Sequence, residues 1–248
     1  MDFLVEVAKG NISGHTLIHK FGQNSSVPSN AWELIAKDSS PPFFQNSPSP
    51  IRLRAGGALD DVDGPGAQSV TIEGLNDRLK RIGITVPTSG SVAGGFTDER
   101  FWRVDRAYVE KTGDYDRPWN ADRINIEDDA GNLLLRIEAE ESQTQYCIYS
   151  IPKRTRGYLL QADITVDSTQ PADVRLFTRE SLNMAPGKAR RLRHFWDGVL
   201  GAIPPYSPNG PNTPFRGPAD IWMEAKGKGG VTQVTASFEL LLVEDDNN

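Results

Sequence analysis

Apolar and polar residues alternate with period two in several stretches of the chain. Ile51 and Leu53 alternate with Arg52 and Arg54, and Val70 and Ile72 with Ser69, Thr71 and Glu73. Leu133, Leu135 and Ile137 alternate with Leu134, Arg136 and Glu138. Tyr158, Leu160, Ala162, Ile164 and Val166 do so with Leu159, Gln161, Asp163 and Thr165. The cleanest case lies near the end: Val234, Ala236, Phe238, Leu240 and Leu242 share one face, and Gln233, Thr235, Ser237 and Glu239 the other. One dry face and one wet face is the mark of antiparallel strands. No window of about 11 residues holds the i, i+3, i+4, i+7 spacing of a helix, and Gly and Pro interrupt at short intervals. The pattern therefore predicts an all-β protein, an antiparallel β-sandwich of jelly-roll type.

Three segments depart from the alternation. Residues 1–27 contain Gly10, Gly14 and Gly22 and little core pattern, so they read as an N-terminal arm ahead of a sandwich domain spanning 28–248. The arm carries Phe3, Leu4, Leu17, Ile18 and Phe21, apolar area that a free tail would leave in water. A neighbouring subunit is expected to cover it. Residues 41–50 and 204–218 are proline-rich and hold Phe43, Phe44, Tyr206 and Phe215. Six prolines between 204 and 218 exclude a central strand and favour stiff, extended loops. Their aromatics either fold back on their own sheet or enter a subunit contact.

Charge and candidate chemistry refine this picture. The 248 residues hold 27 Lys and Arg against 33 Asp and Glu, a formal charge of −6, which disfavours nucleic acid and anionic membranes as partners. The opening residues MDFLVEVAKG place acids at Asp2 and Glu6 around a short apolar run, unlike a signal peptide or a membrane span. The one cysteine, Cys147, reads as a buried small hydrophobe. The stretch LDDVDGPGAQSVTIEGLND at 59–77 resembles a cation loop, but with Gly64 at the sixth position of an EF-hand the first and twelfth ligand positions fall on Leu59 and Val70. It is expected to be a solvent-facing turn at Asp60, Asp61 and Asp63 leading into a strand. His15 and His19 lack metal-site companions. Lys188, Arg190, Arg191 and Arg193 form the one dense basic cluster, beside His194. It suits a charge-protected strand edge, docking on an acidic neighbour, or contact with phosphate. No nucleophile elbow, phosphate loop or dinucleotide fingerprint occurs, so neither catalytic residues nor a cofactor or metal is expected.

Taken together, EVAKGNISGHTLIHKFGQN at 6–24, GAQSVTIEGLND at 66–77, FWRVDRAYV at 101–109, TRGYLLQADITVD at 155–167, DVRLFTRES at 173–181 and ADIWMEAKGKGGVTQVTASFELLLVED at 219–245 resemble a family of tailed-bacteriophage virion proteins. The resemblance runs nearly end to end. It implies a non-enzymatic particle component, assembled in the host cytoplasm, whose partners are other virion proteins, the major capsid protein among them, and further copies of itself. A head decoration or cement subunit fits best. The alternative is a tail or vertex appendage that recognises a host surface glycan, and a glycan hydrolase ranks third. The expected interface residues are Leu17, Ile18, Phe21, Phe43, Phe44, Lys188, Arg190, Arg191, Arg193, Tyr206 and Phe215.

Overall fold

The computed structural model describes residues 2–37, 44–114, 116, 118–182, 189–208 and 213–245. In chain order the elements are α1 (Phe3–Ala8), β1 (His15–Val27), β2 (Glu33–Leu34), β3 (Ser49–Ala55), β4 (Ala67–Asn76), β5 (Arg81–Pro87), β6 (Arg100–Thr112), β7 (Ile124–Asp128) and β8 (Leu133–Ile137). There follow β9 (Ile148–Ile151), β10 (Thr155–Val166), β11 (Ala172–Glu180), β12 (Arg191–Val199), β13 (Phe215–Arg216), β14 (Ala219–Gly227) and β15 (Thr232–Glu244). The protein is all-β and its strands pair antiparallel throughout. They fall into two compact units, residues 1–41 with 146–248, and residues 42–145.

In the first unit one sheet is ordered β1-β15-β10-β13 and the other β12-β11-β14-β2, with β9 also paired to β14. β2 meets β14 at Glu224 and Ala225, whereas β9 meets it at Ala219 to Trp222. They are thus two halves of one strand lane. Counting that lane once, the eight strands run 1-8-3-6 in one sheet and 5-4-7-2 in the other, which is jelly-roll connectivity. The two inner faces share a core that includes Ile35, Tyr149, Ile221, Met223, Phe238 and Leu240. The second unit is an insertion into the second lane. Its single sheet is ordered β5-β4-β6-β3-β7-β8, with Ile51, Leu53, Val70, Ile72, Ile124, Ile126 and Leu135 buried.

Four expectations change. The body is not one domain over 28–248, because residues 42–145 form a separate unit. Residues 1–27 are not an arm: β1 pairs with β15 from His15↔Val243 to Val27↔Thr232, and Phe3–Ala8 is helical. The inward positions of β1 are Ile18, Lys20, Gly22 and Asn24, so its buried face is largely polar and shows no apolar alternation. A Cβ at Gly22 would collide with the Ile35 carbonyl oxygen and the Cys147 amide, which makes glycine necessary where the two sheets approach. In β10, a bulge between Leu159 and Gln161 reverses the facing of the strand start. Leu159 is consequently buried and Leu160 lies on the outer side with Tyr158. Last, Asp60 does not face solvent. Its Oδ1 accepts from the Ala67 and Ala121 amides and its Oδ2 from the Asp122 amide, each at 2.8 Å. A fully buried carboxylate thus ties the turn to the chain sixty residues on.

Candidate interaction faces

A polar cluster of the jelly-roll unit lies on the side of β11 and β14 away from the core. Strand alternation puts Trp222 and Glu224 on the same side of β14, and the ladder sets Arg175 opposite Glu224 and Phe177 opposite Trp222. The Glu224 carboxylate is nearly buried and takes four donors. Trp222 Nε1 donates to Oε1 at 2.7 Å and Arg190 Nη1 to the same oxygen at 3.1 Å. Arg175 donates to Oε2 from Nε at 2.9 Å and from Nη2 at 2.6 Å. Bonds of this charge-assisted kind fix a guanidinium in one orientation.

Aromatic rings complete the arrangement. The Arg175 guanidinium lies 3.7 Å from the Trp32 ring centroid and 4.7 Å from that of Phe177. Arg190 covers Phe177 at 4.5 Å, and Phe177 stacks on Trp222 at 5.6 Å. Two cations share one carboxylate, which leaves a positive excess. Beside them Phe195 is 43% exposed and 6.3 Å from Trp32, and Leu192 is 54% exposed. Arginine and large aromatics at a partly dry surface are the residues that dominate protein interfaces.

The remaining basic and aromatic candidates are distributed differently. Arg191 is exposed on β12, the outermost described strand of its sheet. Arg193 donates to the Thr213 carbonyl at 2.8 Å and lies 4.6 Å over Phe215. Burial lowers its pKa from the usual arginine value. Phe215 is buried and Tyr206 is half-buried, bridged to Ala162 and stacked on His194 at 4.0 Å. Both aromatics of the second proline-rich loop therefore fold back on their own unit. His194 also meets the edge of Trp196 at 4.4 Å, and burial lowers its pKa. Phe44 sits under the Arg103 guanidinium at 5.1 Å in the inserted unit. Phe43 and Lys188 lie outside the described residues.

A second face lies on the outer side of the β1-β15-β10 sheet. Leu4, Val5 and Ala8 of α1 line a groove of about 370 Å³ with Leu17, Ile18, His19, Leu160 and Glu239. Leu17 is half-buried there, whereas Ile18 packs its side chain against the core, and Phe21 is half-buried beside His19 at 6.2 Å. Cys147 is fully buried, and burial pushes its thiol far above the ordinary range, so it is no nucleophile at neutral pH.

The basic strip is readable as a cluster, but among its described residues only Arg190 belongs to the carboxylate network. Trp32, Arg175, Phe177, Phe195, Trp222 and Glu224 join from three separate strands and one loop, and only the strand register brings them together. No family model and no curated protein matches this chain. A solved structure of infectious bursal disease virus Gt strain aligns over 99% of this chain and 78% of that one, at 9% identity and a TM-score of 0.22, too slight a likeness to inform the role.

Proposed function

We propose that this chain is a structural subunit of a bacteriophage particle, a decoration or cement protein that docks on an acidic surface of the major capsid protein. The observation that carries the reading is the separation of charge between the two units. Residues 42–145 hold 12 Lys and Arg against 18 Asp and Glu, whereas the jelly-roll unit holds 15 of each. The whole formal charge of the chain thus resides in the insertion. Within the neutral unit Arg175 and Arg190 lie together on the outer side of the β12-β11-β14 sheet, next to the exposed Phe195 and Leu192, and Arg191 is exposed on the neighbouring edge strand β12. Such a subunit approaches an acidic partner with its arginine face first, since complementary potentials steer encounter and suppress the wrong orientation. The end-to-end resemblance to phage virion proteins supports the same role, as does a fold widely used for viral coats.

The test is a low-resolution map of purified particles labelled on this subunit. Density on the capsid surface, lost when Arg191→Glu is introduced, is the expected result. A second reading, a tail or vertex appendage binding host glycan, draws on the exposed ring of Phe195, which could stack on sugars, beside the half-buried Trp32. Label at the tail tip, together with binding of host polysaccharide, would replace the first reading by the second.

A further inference from the structure

We infer that the open edge of β5 in the inserted unit is a strand-addition site, which takes an extended, basic segment of a partner protein alongside β5. Among the described residues β5 is the last strand of its sheet and pairs only with β4. The unbroken register of that pair fixes which backbone groups face where. The Thr88 amide donates to the Gln68 carbonyl at 3.1 Å, and at the turn of the hairpin the Asn76 amide donates to the Lys80 carbonyl at 3.0 Å. Alternate pairs of an antiparallel ladder are hydrogen-bonded, so Ile82, Ile84 and Val86 turn their backbone groups to β4, and Gly83, Thr85 and Pro87 turn theirs outward. Pro87 offers only a carbonyl there. Gly83 and Thr85 each offer an amide and a carbonyl, and among the described residues no strand takes them.

The space beyond that edge has room for a strand. Ile84, Val86 and Pro87 form one wall of a groove of about 410 Å³, and Phe96, Asp98 and Glu99 form the other. Ile84 and Val86 lie opposite Ile72 and Val70, which are fully buried with β6 on their far side. No described strand flanks Ile84 and Val86 in the same way, so they stay half-buried, and Phe96 is 46% exposed. A strand laid about 4.8 Å from β5 would carry the dry face one lane further, pair the Gly83 and Thr85 groups and cover all three side chains. The span from Gly83 to Pro87 matches about five residues of such a strand. Charge selects its kind. Asp98 and Glu99 are exposed at the rim, and no ion pair joins either of them among the described residues. The nearest cations are already engaged: Arg52, 4.9 Å from the Phe96 ring centroid, bonds to Glu127, and Arg81 of β5 bonds to Glu73 and Asp105. The groove therefore favours a segment with Lys or Arg beside Asp98 and Glu99 over an acidic one. The inference is independent of the arginine face, since it concerns the other unit.

The experiment is selection on the purified full chain from a yeast-displayed library of random nonapeptides, followed by titration of the selected peptides and hydrogen exchange of the complexes. The selected sequences are expected to alternate apolar and polar residues, to carry Lys or Arg, and to slow exchange at the Gly83 and Thr85 amides. Thr85→Pro removes an outward amide and no bond to β4, so it should weaken binding by about tenfold or more with the melting temperature little changed. Thr85→Val keeps the amide and should bind as the wild type does. Reversing the exposed rim with Asp98→Lys and Glu99→Lys together should weaken the basic peptides by about tenfold or more in a protein that unfolds as the wild type does. A library that yields no binder, peptides indifferent to both Thr85→Pro and the reversed rim, or protection confined to residues outside β5 overturns the inference. So does a free protein that dimerises and is made monomeric by Thr85→Pro, because the edge then belongs to a second copy.

Discussion

Glu224 in the jelly-roll unit and Asp60 in the insertion are both buried carboxylates, and they are satisfied in opposite ways. Asp60 takes three backbone amides, one from Ala67 and two from the segment at Ala121 and Asp122. Its partners are neutral and belong to the frame of the fold. Glu224 takes two guanidiniums and an indole N–H, all from side chains, two of them stacked on rings at the surface. The first arrangement joins distant loops. The second holds cations in place while leaving part of their charge outward, with Arg190 about half exposed. An acid that organises backbone is an architectural device, whereas an acid that organises arginines holds cations in place at a surface.

The sharpest way to break this contrast is Asp60→Ala. Three buried amides would lose their acceptor, at about 1–3 kcal/mol each, so a loss on the order of 5 kcal/mol is expected. It should appear as lost hydrogen-exchange protection in residues 44–145 ahead of the jelly-roll unit. The Asp60 oxygens are already aimed at these amides, so calcium or a chelator should leave the wild-type melting temperature unchanged. A shift of several degrees on chelation would show an ion coupled to folding.

Next in size is Phe238→Ala, expected to cost about 3–5 kcal/mol because the ring is wholly buried between the two sheets of the jelly roll. Its neighbour Glu239 is exposed, and Glu239→Ala should change stability by less than about 0.5 kcal/mol. Denaturant midpoints for the two variants that came out alike would mean the register of β15 is wrong.

A smaller effect is expected for Glu224→Gln, about 2–3 kcal/mol, since the amide keeps an acceptor oxygen but no longer neutralises Arg175. Arg190 is half-exposed and screened, which limits the loss. Arg191→Glu, by contrast, should leave urea unfolding unchanged and abolish incorporation into particles. If both variants instead incorporated normally, the arginine face would not be the docking surface.

What the sequence made legible follows from the same contrast. The strand of Val234 to Leu242 could be assigned with its facing because one side is dry and the other wet. β1 could not, because its inward side reads Ile18, Lys20, Gly22 and Asn24, with Asn24 bonded to Glu33 and the Leu34 carbonyl. β14 is buried on both sides along almost its whole length, and such a strand carries no period-two signal. The boundaries of the insertion were invisible for a related reason. They interrupt a single strand lane, leaving β2 with two residues and β9 with four, too short to show any pattern. The carboxylate network depends on Arg175 and Glu224, 49 residues apart, and no local spacing records that meeting.

The smallest effect concerns pH, and it separates the two units cleanly, because His15, His19 and His194 all belong to the jelly-roll unit. Burial lowers the pKa of His194, which packs on the rings of Tyr206 and Trp196 and lies opposite Leu176 in the ladder. A histidine with a lowered folded pKa binds protons more readily in the unfolded chain. Its contribution is therefore fully present above the unfolded value of about 6.5 and is lost as pH falls below it. His194→Phe keeps a ring in the stack but cannot titrate. Between pH 7.5 and 5 the wild type should lose stability relative to this variant, by a modest amount because the imidazole is partly solvated. Hydrogen exchange in residues 44–145 should show no such difference. A wild type that gains stability relative to His194→Phe on acidification would mean that an anion holds the imidazolium, and the uncharged stack described here would then be the wrong account of His194.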